Sequence, residues 1–304
     1  MISVVIISKD EPALDGTLTA VAKQAAGLGE PCEILVVDAS GGRLDHIRRA
    51  HEPDVRWIQF ERPAGAGVTI PHQRNAGVRA AAGDIIVFTD SGCHPGDGWL
   101  TRLTAPLRDG EDGQAGMAGM AGEYVTAGPA LATDEDFDPY TLAAARHAAS
   151  GGYLKECPTI NLAFRREAFD AVGGFDEKFA YGSDIDFSWR LVDAGYRIRS
   201  VPDAVIRHDW GTWRRQLRRA YAYGKARARL YRKHRSRRAR MLRDDPMVVV
   251  YPVFLLGLPL TLVFPLYPAL LLIPAWRNRS LGVVKVLADH LAYGAGVLAE
   301  LAGR

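Results

Sequence analysis

The sequence predicts an α/β fold, a mostly parallel sheet flanked by helices, followed by a basic helix and a hydrophobic helical tail. Three observations predict it. Short apolar runs alternate with helical patterns through residue 90, as parallel strands joined by crossover helices do. Two of these runs stop abruptly at a carboxylate, Asp38 and Asp90, at the strand edge where open α/β sheets bind ligands. After residue 207 the chain becomes strongly basic and then wholly apolar.

The elements follow in order. "SVVIIS" is a buried strand, and residues 12–28 place Leu14, Leu18, Val21, Ala25 and Leu28 on one helical stripe. "EILVVDAS" is a second strand, closed by Asp38; a polar helix, the alternating strand "VRWIQF" and a helix through "PHQRNAGVRAAAG" come next. "DIIVFTD" needs no alternation because a central strand is covered on both faces. Asp90 then either meets a ligand or caps the following turn. No GxGxxG follows the first strand, so the dinucleotide fingerprint is missing. Residues 110–122 are Gly-rich without a GK[ST] pattern and are expected to form a mobile loop.

At 304 residues with 48% hydrophobic content, the chain can bury a large core. Cys32, Cys93 and Cys157 form no CxxC pair, which argues against a disulfide framework or a zinc site. The start "MISVVIISKD" lacks the basic region of a signal peptide, so a cytoplasmic setting is expected. The net charge of +3 conceals a division: between Arg207 and Arg243 stand 15 Lys or Arg against one acidic residue, Asp209. Residues 247–276 then carry no charge but five prolines, Pro252, Pro259, Pro265, Pro268 and Pro274. A spanning helix needs about 20 apolar residues, yet the prolines argue against one straight span. A basic block beside such a run favours an anionic membrane over nucleic acid as partner. The expected location is the cytoplasmic face of the cell membrane.

The blocks "SVVIISKD", "EILVVDASGG", "RNAGVRAAAGDIIVFTDSGCHPGDGWL", "NLAFRREAFDAVGGFDEKFAYGSDIDFSWRLVDAGYRI" and "RHDW", in that order, resemble the family 2 glycosyltransferases with their GT-A fold. The resemblance covers roughly residues 2–230. It implies an inverting transfer of a sugar from a nucleoside-diphosphate-sugar donor to an acceptor hydroxyl, on a glycan or lipid-linked acceptor, with Mg2+ or Mn2+. By the same resemblance Asp38 binds the donor base and Asp90 is the first carboxylate of a D-x-D metal motif. Asp184 is the catalytic base, and His208 completes the metal site. Ser8, Arg74, Asn75 and Ser91 fall among the donor-binding positions. The implied organisation is a catalytic domain over residues 1–210, a basic helical segment over 211–245 and a membrane-associated tail over 246–304.

The chemistry suits these residue types. A sugar diphosphate concentrates negative charge that a hard cation with oxygen ligands and retained waters answers. The acceptor hydroxyl must lose its proton, so a carboxylate within reach serves as general base. Asp186 offers a second carboxylate, read instead as a helix-start charge. Two departures from the family pattern stand out: Gly92 where D-x-D would place its second aspartate, and Ser183 where an E-D motif would place its glutamate. His94 is a possible stand-in ligand or merely solvated. Arg74 either faces the diphosphate or forms an ion pair; Asn161 and Arg165 are acceptor-side or structural; Trp189 is core. Trp210 and Trp213 line a sugar subsite or a membrane interface. A sugar-phosphate nucleotidyltransferase or a noncatalytic nucleotide-sugar-binding protein is the alternative.

Overall fold

The computed structural model describes residues 1–65, 67–108, 125–132, 151–208, 212–277 and 282–303. The Gly-rich stretch 110–122 and Trp210 lie outside the described residues. The chain divides into two compact units, with the boundary after residue 209.

The first unit is built on β1 (Ile2–Ser8), β2 (Cys32–Asp38), β3 (Val55–Gln59) and β4 (Ile85–Asp90), joined by α1 (Leu14–Ala26), α2 (Asp45–His51) and α3 (Ile70–Ala80). These strands lie parallel in the order β3-β2-β1-β4. Beyond β4, strands β6 (Val125–Ala127), β8 (Tyr153–Leu154), β9 (Asn161–Arg165) and β10 (Ile198–Ser200) extend the sheet to β9-β6-β10-β8. β9 runs antiparallel to both β4 and β6. A second, three-stranded sheet joins β5 (Cys93–Pro95), β11 (Ile206–His208) and β7 (Ala130–Ala132). The expected mostly parallel α/β sheet is therefore present, with antiparallel β9 inserted beside β4.

Apolar β-branched residues make β1 and β4 almost wholly buried, as strands covered on both faces must be. Gly77 lets α3 lie directly on the sheet: a Cβ there would run into Val5 Cγ1. Phe88, Phe164, Phe169, Phe175 and Phe187 form one aromatic cluster, with Phe175 and Phe187 rings 4.5 Å apart. Phe187 belongs to α6 (Ser183–Asp193), which follows α4 (Trp99–Thr104) and α5 (Arg166–Ala171) in chain order. Anchoring Phe187 in the core fixes the first turn of α6, where Asp184 stands.

The second unit holds α7 (Trp213–Lys233), α8 (Met241–Asp244), α9 (Met247–Leu256), α10 (Leu272–Arg277) and α11 (Val283–Ala302). α7 and α11 pack at backbone distance, since a Cβ on Gly224 would meet the Tyr293 carbonyl and one on Gly296 the Tyr221 carbonyl. Polar pairs reinforce this contact: buried Gln216 Nε2 donates to Asp289 Oδ1 at 3.0 Å, and the more exposed Arg229 reaches Glu300 at 3.1 Å. The basic segment and the apolar tail fall in the same compact unit. Prolines break the tail into short helices and two 3-10 turns, Leu258–Leu262 and Tyr267–Leu271. Among the described residues no helix is long and apolar enough to cross a membrane. Apolar side chains of the turns and of the link between them face outward, Leu262 being 88% and Leu266 82% exposed.

Candidate active site

β1 and β2 run in register, with Ser8 beside Asp38 at their carboxyl ends. Asp38 is 0% and Ser8 4% exposed. Asp38 Oδ1 accepts the Ser40 N–H at 2.9 Å, while Asp38 Oδ2 and Ser8 Oγ have no hydrogen-bond partner among the described residues. Two buried polar atoms left unsatisfied side by side are costly unless a ligand completes them. A cleft of about 590 Å3 opens beside this edge, lined by Ala39, Gly41, Gly42, Gln59 and Phe60 among others.

The loops after β1 and β2 brace one another. Ser40 Oγ accepts the Asp10 N–H at 2.7 Å, and Arg43 grips the Asp10 carboxylate through Nε at 2.6 Å and Nη2 at 3.0 Å. That charged hydrogen bond holds Asp10 below the ordinary carboxylate range and raises Arg43. Asp10 adopts φ 57°, a conformation rare outside glycine but tolerated by Asp. The brace runs from the surface to the carboxylate of Asp38. Sequence reading missed it, because only the adjacency of β1 and β2 brings residues 10 and 43 together.

Asp90 ends β4 half-buried, and the turn beyond it is pinned on both sides. Ser91 Oγ donates to the Ile7 carbonyl at 3.3 Å, and the Gly92 N–H to Thr17 Oγ1 at 2.9 Å. Ser91 therefore anchors the turn on β1. Gly92 sits at φ +86°, where an L side chain is strained. A Cβ there would lie 3.7 Å from His208 Nε2, so the imidazole stands beside the position the second D-x-D aspartate would occupy. β11 pairs His208 with Cys93 and Arg207 with His94, and strand alternation turns His94 the other way, toward Gly16 of α1. Of the two histidines, His208 is the one brought to the turn. Burial pushes the Cys93 thiol up to about 12, so it stays protonated.

Among the described residues no group of three or more His, Cys, Asp or Glu forms a protein cage for a metal. Asp90 and His208 are too few to hold an ion alone. They suit a hard cation that takes its remaining ligands from phosphate oxygens and water.

Asp184 stands half-buried in the first turn of α6, its Oδ1 accepting the Ile185 N–H at 2.9 Å. Asp186 is 0% exposed and pairs with Arg190 Nε at 2.8 Å. It is thus a structural carboxylate, held by an ion pair as well as by its place at a helix start. Arg74 points from α3 to the same helix, its Nη1 donating to Ser183 Oγ at 3.1 Å. Asn75 is used otherwise: Nδ2 donates to the Phe175 carbonyl and Glu177 Oε1, and Oδ1 accepts the Phe175 N–H, all at 2.9 Å. With both donors spent, Asn75 fastens α3 to the loop before α6 instead of facing a donor. Asn161 is likewise a clamp, bonded to Trp99 Nε1 and the carbonyls of Pro129 and Ala204. Trp189 is core, as its helical spacing predicts.

The glycosyl transferase family 2 model matches residues 3–173, more than half of the chain, and a glycosyl transferase family group 2 model matches 141–283. A pre-mycofactocin glycosyltransferase of Mycobacterium tuberculosis is 28% identical over 241 residues, covering 75% of this chain and 46% of that protein. Glycosyltransferase AglE of Haloferax volcanii is 26% identical over 158 residues, covering 52% of this chain and 50% of that one. The chain spans about half the length of these curated relatives. Among solved structures, the mannosyltransferase PcManGT of Pyrobaculum calidifontis, in complex with GDP-Man and Mn2+, superposes with TM-score 0.64 at 19% identity. That match covers 100% of this chain and 87% of that one.

Proposed function

The chain belongs to glycosyl transferase family 2, and from that premise we propose that it moves a sugar from a nucleoside-diphosphate-sugar donor to an acceptor hydroxyl with inversion at the anomeric carbon. The observation that carries the reading is the pair of unsatisfied buried atoms, Ser8 Oγ and Asp38 Oδ2, at adjacent strand ends. A carboxylate oxygen held rigid by Ser40 accepts an N–H of a base or a ribose hydroxyl, and the Ser8 hydroxyl serves a second polar atom of the nucleoside.

In the reaction the acceptor oxygen attacks the anomeric carbon as the bond to the diphosphate oxygen breaks. The hydroxyl proton passes to the free oxygen of Asp184, and the nucleoside diphosphate leaves with the bonding electron pair. Asp90 and His208 would hold Mg2+ or Mn2+, which supplies charge neutralisation to the leaving diphosphate; the mannosyltransferase neighbour carries Mn2+. Arg74, bonded to Ser183 beside Asp184, would face the donor in this reading. The exposed turns Leu258–Leu262 and Tyr267–Leu271, with Arg214, Arg215 and Arg218 exposed on α7, support attachment to an anionic membrane. Each Lys or Arg near such a surface contributes on the order of 1 kcal/mol. The location would be its cytoplasmic face, with a lipid-linked acceptor drawn to that surface.

Calorimetric titration with a panel of nucleotide sugars, in Mn2+ and in EDTA, tests the donor site. Binding is expected for one nucleotide class and its loss in Asp38→Asn; absence of nucleotide binding under both conditions overturns the reading.

A further inference from the structure

The apolar tail closes on itself at a neck. Tyr267 stacks on Phe254 with ring centroids 5.2 Å apart, and its hydroxyl donates to the Phe254 carbonyl at 3.0 Å. Gly257 makes room for that ring, since a Cβ there would run into the Tyr267 hydroxyl. Both arms of the neck rest on one helix: α9 packs on α11, where a Cβ on Gly294 would run into Tyr251, and α10 packs on α11 as well. Residues 255–266 therefore leave the neck and return to it.

The loop so formed is apolar outside and satisfied within. Leu260, Leu262, Val263, Phe264 and Leu266 are all more than half exposed. The N–H groups of Leu260, Val263, Phe264 and Tyr267 donate to the carbonyls of Gly257, Leu260 and Phe264, while Pro259 and Pro265 have no N–H to satisfy. The one polar side chain, Thr261, donates its hydroxyl to the Leu258 carbonyl at 2.7 Å. A loop in water has no need of such self-sufficiency. In hydrocarbon it is a requirement.

Size and charge name the occupant. The 12 residues 255–266, about six out and six back at roughly 2 Å each in 3-10 geometry, reach about 12 Å from the neck. That is less than half of a hydrocarbon core of about 30 Å. Residues 210–304 carry 18 Lys or Arg against 4 Asp or Glu, a balance of +14, so an anionic bilayer attracts this unit where a second copy of the chain repels it. Tyr267 at the neck and the exposed Trp276 are residue types that settle at a membrane interface.

We propose that residues 255–266 are a re-entrant wedge that enters one leaflet of an anionic bilayer and returns, so that α9 and α10 stay on the same side of it. The inference rests on the membrane attachment proposed above and adds how it is made: apolar insertion to a limited depth, with the basic residues drawing the unit to the surface.

The test adds the full chain to the outside of sealed phosphatidylcholine–phosphatidylglycerol vesicles. Wild type is expected to float with them and to stay bound in about 1 M NaCl, where exposed charges are screened. Leu262→Asp/Phe264→Asp, at exposed positions, should melt like wild type yet partition at least about tenfold more weakly. For sidedness, Cys32→Ser removes the accessible thiol and leaves the buried Cys93 and Cys157. In that background Leu242→Cys and Leu301→Cys, exposed before and after the tail, should both react with a membrane-impermeant maleimide, and a fluorophore on Leu262→Cys should be shielded from aqueous iodide. A Leu301→Cys thiol protected until detergent is added means a crossing and overturns the wedge alone. Release by salt, or a double variant that binds like wild type, reduces attachment to surface charge and also overturns the wedge alone. No flotation overturns the membrane reading with it. A vesicle-independent dimer lost in the double variant gives the loop to a second copy and refutes the proposal.

Discussion

Asp184 and Asp186 lie two residues apart on one helix, and changing each to its amide should damage different properties. Asp184 makes one internal side-chain hydrogen bond, to the Ile185 N–H, which an amide oxygen can also accept. Asp184→Asn should therefore alter stability by no more than about 0.5 kcal/mol, while removing the general base lowers turnover roughly 10²- to 10⁴-fold. Donor affinity should hardly change. Asp186 is fully buried against Arg190, whose side chain is 20% exposed and also donates to the carbonyls of Val172 and Gly174. Removing one member of a buried pair costs about 3–5 kcal/mol. The retained carbonyl acceptors place Asp186→Asn near the lower figure, about 3 kcal/mol. For a unit of this size that lowers Tm by about 6–12 °C, with turnover per folded molecule preserved. Scanning calorimetry, donor titration and turnover at a temperature where all three proteins are folded provide the assay. If Asp186→Asn abolishes turnover while folded, Asp186 is the reacting carboxylate; if Asp184→Asn loses donor binding in proportion to turnover, Asp184 is a donor-site residue and the base lies elsewhere.

Gly92→Asp should cost about 1 kcal/mol for an L residue at φ +86° and set a carboxylate beside His208, tightening Mn2+-dependent nucleotide binding in calorimetry; unchanged metal dependence would count against a metal site at this turn. His290, bonded to the Tyr251 hydroxyl at 2.6 Å, is held neutral by burial, which pushes its pKa down from 6.5 to about 4. Because the unfolded chain takes up the proton first, this contribution is intact above about pH 6.5 and falls as pH drops toward about 4, by up to about 3 kcal/mol. Melting curves at pH 7.5 and 5 should show that loss in wild type and not in His290→Gln, and an equal pH slope in both would exclude His290 as its source.

The strand ends at Asp38 and Asp90 are legible in sequence because an apolar run that stops at a charge marks where a central strand leaves the core. The helical stripe of α1 is legible for a similar reason, since its spacing repeats. Pairings between distant segments are not. Asp10 with Arg43, Arg74 with Ser183 and Asn75 with the 175–177 loop arise only when the sheet brings their segments together. The same holds for the second unit: charge composition separates the basic segment from the tail, but the glycines that let α7 and α11 meet carry no periodic signal of their own.

Residue type alone also misleads about which polar groups serve chemistry. Asn75, Asn161, Asp186, Asp38 and Arg74 are all polar, and all are buried. What separates them is unused hydrogen-bonding capacity. Asn75 and Asn161 have given both amide donors to fixed partners, and Asp186 has its charge matched by Arg190. Among the described residues Asp38 keeps an oxygen, Ser8 a hydroxyl and Arg74 its Nε without a partner. A fold gains nothing by burying these groups incomplete, since each costs about 1–3 kcal/mol or more. In the proposed donor site a bound ligand supplies the missing partners of Ser8 and Asp38 and recovers that cost.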